Sequence, residues 1–160
     1  MTHLQNIERK ILSDEHFDAW LKNKRPNITK LVFTNGCFDI IHRGHVVYLT
    51  QSADFGTHFM VALNTDHSVK QNKGTSRPLQ DHYSRALIIA AFECVDFVVL
   101  FNEKTPANLI KKVVPDVLVK GGDYNVQDIV GYDTVTNAGG EVRTIDFVPG
   151  YSTSKLIDKF

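Results

Sequence analysis

The chain has 160 residues, 42% hydrophobic and 22% charged, a size that suits one domain with its own core. Its 18 Lys plus Arg balance 18 Asp plus Glu, which excludes the large basic excess of a non-specific nucleic-acid or anionic-membrane binder. No apolar run approaches the ~20 residues of a membrane helix, and Met1-Thr2-His3-Leu4 opens no signal-type segment, so a cytoplasmic protein without nucleic-acid or membrane partners is expected.

Leu4, Ile7, Ile11, Leu12, Trp20 and Leu21 recur at helical spacing, interrupted near Ser13-Asp14 and ended by Pro26-Asn27. Residues 1–27 therefore read as a helical preface to a domain over 28–160. Strands are expected over 30–34, 58–63, 95–101, 116–120 and 141–148. Helices are expected over 44–55, 81–93, 105–113, 126–137 and 152–160. Short Val-, Ile- and Phe-rich runs alternating with helices point to parallel strands buried on both faces. The fold class is thus α/β, a doubly wound sheet whose ligands lie beyond the carboxyl ends of its strands. The segment 74–78 (Gly-Thr-Ser-Arg-Pro) reads as a mobile loop. The two cysteines, Cys37 and Cys94, each sit in an apolar stretch and read as reduced thiols rather than a disulfide framework.

The first strand runs into Thr34-Asn35-Gly36-Cys37-Phe38-Asp39-Ile40-Ile41-His42-Arg43-Gly44-His45. Asn35-Gly36 permits a tight turn and close approach of a ligand to the backbone. A helix starting near Gly44 would aim free N–H groups and its positive dipole end into the same loop, which suits an anion. His42 and His45, three residues apart, share one face of a helical first turn. They are candidates for holding phosphate oxygens and stabilising charge in phosphoryl transfer. Zinc binding lacks a third ligand at fixed spacing, and two surface histidines without a role remain the plain alternative.

Later loops add polar groups at the same end of the sheet. Asn64, Thr65 and Asp66 end the second expected strand. Lys70, Lys73 and Arg77 follow, either as a solvated basic loop or as cations closing over phosphates. Arg85 lies one turn into the next helix, within reach of the same region. Lys120-Gly121-Gly122-Asp123-Tyr124 opens the backbone for a base plane. Tyr151-Ser152-Thr153-Ser154 precedes the last helix, where hydroxyls can cap the helix and bind phosphate together.

His42-Arg43-Gly44-His45, in this strand–turn–helix setting, resembles the HxGH signature of the cytidylyltransferase-like nucleotidyltransferases. The Ser/Thr turn at 150–154 resembles their second signature. The resemblance implies a Rossmann-like sheet of the HxGH nucleotidyltransferase type, with both histidines at the triphosphate. Glycerol-phosphate cytidylyltransferases carry Arg-Thr-Glu-Gly before that turn, whereas this chain has Phe147-Val148-Pro149-Gly150, which weakens a CTP reading. A closer resemblance, from about residue 28 to 160, is to the D-glycero-β-D-manno-heptose 1-phosphate adenylyltransferases. It rests on Phe33 to Ile40, Arg77-Pro78, Val95 to Phe101, Pro115 to Tyr124 and Gly150 to Thr153. These occur joined to a sugar kinase or separately, and with 160 residues leaving no room for a kinase the stand-alone form is expected.

What the resemblance implies is attack by a sugar 1-phosphate on the α-phosphorus of ATP, giving ADP-heptose and pyrophosphate for lipopolysaccharide-core or surface-glycan heptose. It makes His42, His45 and Lys73 the catalytic group. Thr34, Asn35, Gly36, Cys37, Phe38, Asp39, Gly44, Asn64, Asp66, Arg77, Arg85, Lys120, Gly121, Gly122, Asp123, Tyr124, Tyr151, Ser152 and Thr153 become nucleotide-side candidates. Asp39 would orient the acceptor or neighbouring groups. Mg²⁺ would ride mainly on substrate phosphates and water, with no dedicated protein metal site, and a homodimer is expected. Two other readings stay open: a superfamily transferase for glycerol phosphate, ethanolamine phosphate or FMN, and a non-catalytic ATP sensor.

Overall fold

The short apolar runs form a six-stranded parallel sheet in a computed structural model whose described residues are 1–157. Its strands are β1 (Ile11–Leu12), β2 (Leu31–Gly36), β3 (His58–Asn64), β4 (Phe97–Phe101), β5 (Val117–Gly121) and β6 (Glu141–Ile145), in the order β1-β4-β3-β2-β5-β6. Every neighbouring pair is parallel. The helices are α1 (His3–Glu8), α2 (Asp14–Asn23), α3 (Arg43–Ala53), α4 (Asp66–Lys73), α5 (His82–Ala90), α6 (Ala107–Val113), α7 (Tyr132–Asn137) and α8 (Thr153–Ile157). None is long and apolar enough to cross a membrane.

Side chains alternate across the sheet with the period of two that strands impose. Phe33, Met60, Ala62, Val99 and Leu118 pack on one face with Trp20 and Ile110. Val32, Val61, Leu63, Val98, Val117 and Val119 pack on the other with Leu49 and Ile89. Burying each such aliphatic side chain favours folding by roughly 1.5–3 kcal/mol, so both layers are needed to hold the sheet.

From β2 the chain steps outward through β3 to β4, then returns to the other side of β2 for β5 and β6. The reversal falls between β2 and β5, the place where open α/β sheets part to admit ligands. Asn35-Gly36 and Lys120-Gly121 end those two strands.

Several boundaries differ from the sequence expectation. The N-terminal segment is not helical throughout: Ile11–Leu12 pairs with β4 as the sheet's edge, and Phe17 and Trp20 enter the core. Residues 66–73 form α4, capped by the Thr65 hydroxyl on the Ser68 amide. The helix expected over 126–137 is divided. A short turn covers Val126–Asp128, and α7 begins only after Gly131, whose φ is 97°. The expected strand over 141–148 ends at Ile145. The closing helix expected over 152–160 is described as Thr153–Ile157, and residues 158–160 lie outside the described residues.

Candidate active site

The loop after β2 is tightly built. Phe38 takes a φ of 47°, a left-handed conformation that costs a non-glycine residue ~1–3 kcal/mol unless its surroundings hold it there. Its surroundings do so: the ring is buried, packed 5.3 Å from the His45 ring centroid. His42 then caps α3, its Nδ1 accepting the Gly44 amide at 3.1 Å. That bond uses the Nδ1 lone pair, so a neutral ring carries its proton on Nε2, as a donor. Gly44 is required by this approach, since a Cβ there would lie 2.9 Å from the His42 ring.

The His42 and His45 rings stack at 3.9 Å with an interplanar angle of 25°. Burial holds the His42 pKa below its ordinary value. Burial, then the charges of His42 and Lys73, push His45 down to about 4. Both imidazoles are therefore neutral near pH 7 and act as hydrogen-bond donors rather than cations.

Asp39 and Arg85 position the loops around this pair. The Asp39 carboxylate is buried and accepts Arg77 Nε at 2.7 Å, the Leu79 amide at 2.9 Å and the Gln80 amide at 2.9 Å. Burial opposes its charge, but the Gln80 and Leu79 amides and Arg77 outweigh it and hold the pKa below the usual carboxylate range. Asp39 thus binds the 77–80 segment to the histidine loop. One Arg77 Nη remains buried without a hydrogen-bond partner among the described residues.

Arg85, expected to reach the ligand, does not. It is fully buried and donates to the carbonyls of Gln80, Cys37 and Asn64 and to Asp66 Oδ1, all within 3.0 Å. Asp66 is held by Arg85 and His82. Thr34 is likewise buried, its hydroxyl shared with Tyr48 Oη and the Val119 carbonyl. These three residues line no ligand cavity and instead fix the ends of β2, β3 and β5.

A cavity of about 360 Å³ gathers most of the other candidates. Asn35, Gly36, Cys37, Phe38, Asp39, His42, Gly44 and His45 come from the first loop. Lys73 and Arg77 enter from α4 and its following loop, Lys120 and Gly121 from β5, Tyr124 from the loop after it, and Tyr151, Ser152 and Thr153 from the start of α8. The Arg43 guanidinium lies 5.5 Å from the Tyr151 ring centroid, tying the last loop to α3. Gly122, with φ at 114°, lies beneath Phe147, whose ring would be 2.8 Å from an added Cβ. Asp123 is exposed and lines no cavity, and Lys70 is also outside.

A second cavity of about 440 Å³ adjoins the first and shares Asn35, Gly36, Cys37, Lys73, Lys120 and Tyr124 with it. Asn64, a sequence candidate, lines this one. So do Asn72, Lys104, Thr105 and Asp128, which the sequence reading passed over. Tyr48, Phe147 and Val148 were also missed in the first cavity. Lys104, Thr105 and Asp128 are exposed polar residues without a periodic signal, although their position after β4 and β5 is where the doubly wound rule places ligands.

No group of three or more His, Cys, Asp or Glu side chains among the described residues is arranged to hold a metal ion. The nearest carboxylate, Asp39, has its oxygens occupied by protein donors. The described residues do not form a protein cage for magnesium.

Comparison with known proteins bears on the family and the fold. The chain is 56% identical over 130 residues to the bifunctional protein HldE of Azorhizobium caulinodans, covering 81% of this chain and 27% of that protein. It is 48% identical over 154 residues to the bifunctional protein HldE of Helicobacter hepaticus, covering 96% of this chain and 31% of that one. The chain thus spans under a third of the length of these two curated relatives. A lipopolysaccharide core biosynthesis protein from Thermoplasma volcanium superposes with a TM-score of 0.61 at 28% identity, over 74% of this chain and 96% of that one. The pantoate-beta-alanine ligase of Francisella tularensis, at 15% identity and a TM-score of 0.62 over 85% and 66% of the two chains, shares the fold. The profile described as cytidylyltransferase-like matches residues 33–159, from β2 and its histidine loop through α8, and the chain belongs to that family.

Proposed function

We propose that this chain transfers the adenylyl group of ATP to D-glycero-β-D-manno-heptose 1-phosphate, releasing pyrophosphate. The observation that carries the reading is the stacked, neutral His42–His45 pair at the start of the 11-residue helix α3, in the crevice where the sheet order reverses. Such a site offers anions two imidazole donors, free helical amides and the positive dipole end together. The resemblance to heptose 1-phosphate adenylyltransferases and the similarity to bifunctional HldE proteins support the choice of acceptor. Phe147 in place of an arginine before the Ser/Thr turn supports ATP over CTP.

An oxygen of the acceptor phosphate forms a bond to the α-phosphorus as the bond to the α–β bridging oxygen breaks. Pyrophosphate leaves with that electron pair. The attacking phosphate is already ionised, so no protein base is needed, and catalysis reduces to alignment and charge stabilisation. His42 and His45 donate to phosphate oxygens at the reacting centre. Lys73, Ser152 and Thr153 hold the remaining phosphates, and Arg77, fixed by Asp39, aids them. Gly121, Gly122 and Tyr124 flank the adenosine. Magnesium travels with the triphosphate and its waters. A cytoplasmic homodimer built on the 28–160 domain completes the reading.

The acceptor is tested with ATP and magnesium held constant. β-Heptose 1-phosphate should give ADP-heptose, whereas the α-anomer, glycerol 3-phosphate and FMN should give little product. Faster turnover of another acceptor would overturn the heptose assignment and keep nucleotidyl transfer. ATP binding without product from any acceptor would favour a sensor.

A further inference from the structure

The histidine cavity accounts for one reactant, while the cavity beside it is of similar size and has no role in that account. Its volume of about 440 Å³ falls within the ~300–1,000 Å³ of small-molecule sites. It is lined by Lys73, Lys104 and Lys120 against a single carboxylate, Asp128. None of the three ammonium groups forms an ion pair with another described residue, so all remain available to an anion. Asn72 gives its amide N–H to the Lys104 carbonyl at 3.0 Å, which fixes the side chain and leaves its Oδ1 as a free acceptor.

Lys120 stands where the two cavities meet, at the carboxyl end of β5. It is largely withdrawn from solvent, and burial lowers its pKa, with Cys37 opposing the shift and repulsion from Lys73 adding to it. An ammonium held in this way with no carboxylate paired to it is costly, and a phosphate at the boundary would relieve that cost. Direct displacement requires the two reacting phosphates to be adjacent. With the triphosphate on the histidines and the α3 N-terminus, the cavity across the Lys120 boundary gives the attacking group contiguous room.

Resting on the adenylyl-transfer reading, we propose that the second cavity is the acceptor's seat: Lys120 binds its attacking phosphate, and Asn72, Thr105 and Asp128 read its hydroxyl-bearing body. Lys120 thereby belongs to the acceptor, and the histidine cavity keeps the nucleotide. The hydroxyl-rich character follows from the polar groups of the wall, an amide oxygen, an alcohol and a carboxylate, set beside Pro106, Ile129 and Val130, which can pack on the carbon skeleton.

The test separates the two KM values. Asn72→Ala and Thr105→Val, both exposed in the native chain, should raise the acceptor KM at least tenfold and leave the ATP KM within twofold. Lys120→Met should abolish detectable acceptor binding to the complex with magnesium and α,β-methylene-ATP. It should still bind that analogue, and its Tm should equal or exceed the wild type's because an unpaired buried charge is gone. A rise in ATP KM with an unchanged acceptor KM would put the nucleotide in the second cavity and overturn the proposal, as would no change in either. If wild type makes no ADP-heptose, the transfer reading fails separately. The cavity is then probed with inorganic phosphate in the presence of the analogue. Wild-type binding that is lost in Lys120→Met supports an anion seat there, and equal binding by both proteins refutes it.

Discussion

The imidazoles of His42 and His45 are stacked 3.9 Å apart, and this closeness adds to burial in keeping His45 uncharged. The His45 pKa is about 4 in the folded chain against 6.5 for a free imidazole. Because the folded value is depressed, the unfolded chain takes up the proton first as pH falls. The stability contributed by neutral His45 is complete above pH 6.5 and is lost progressively down to about 4. Urea unfolding of wild type and His45→Gln at pH 7 and pH 5 checks this: wild type should lose more stability than the variant. At pH 7, a folded His45→Ala protein should turn over roughly 10²–10³-fold more slowly. Near-normal turnover would remove His45 from the mechanism.

Gly44→Ala separates positioning from stability. The substitution favours a helix by up to ~1 kcal/mol, so unfolding free energy should hold or rise slightly. The new Cβ nevertheless meets the His42 ring at 2.9 Å and must displace it. Turnover should fall roughly 10- to 100-fold, as expected for ångström-scale misplacement, in steady-state assays alongside urea melts.

Arg85→Met tests the buried anchor. It takes the Arg85 donor from three carbonyls and leaves the Asp66 carboxylate with His82 alone of its two partners. A loss of about 3–5 kcal/mol in urea unfolding is expected, because a buried network is broken from one side. A loss below ~1 kcal/mol would mean that water satisfies those acceptors and that the network holds little.

Asp39→Asn keeps the shape but turns one acceptor into a donor facing amide and guanidinium donors. Unfolding free energy should drop by about 2–3 kcal/mol. With Arg77 released, the ATP KM should rise severalfold while the acceptor KM moves less, which initial-rate kinetics would resolve.

Much of this fold was legible because its strands are apolar runs bounded by turn residues, and the sheet's reversal brings the flagged loops together. Helix α4 was not legible: Asp66–Lys73 buries only Ser68 and Val69, leaving no apolar stripe to betray a helix. Strand β1 has two residues, too few for an alternation to appear. Gly131 divides an otherwise helical stretch because its left-handed φ supplies the turn before α7.

The site shows the same division. His42, Gly44 and His45 are marked by local spacing, since one helical turn sets their geometry. The burial of Arg85 is set by residues 5 to 48 positions away in sequence, and spacing alone placed it at the ligand. Asn72, Lys104, Thr105 and Asp128 converge only through the sheet order, and no short motif records that convergence.

The most direct measurement is magnesium-dependent pyrophosphate release with β-heptose 1-phosphate, supplying ATP, CTP, GTP and UTP in turn and weighing the sugar nucleotide formed. The account predicts release with ATP, matched mole for mole by ADP-heptose, and little with the other three. Release with CTP and none with ATP, or pyrophosphate without a matching nucleotide sugar, would contradict it.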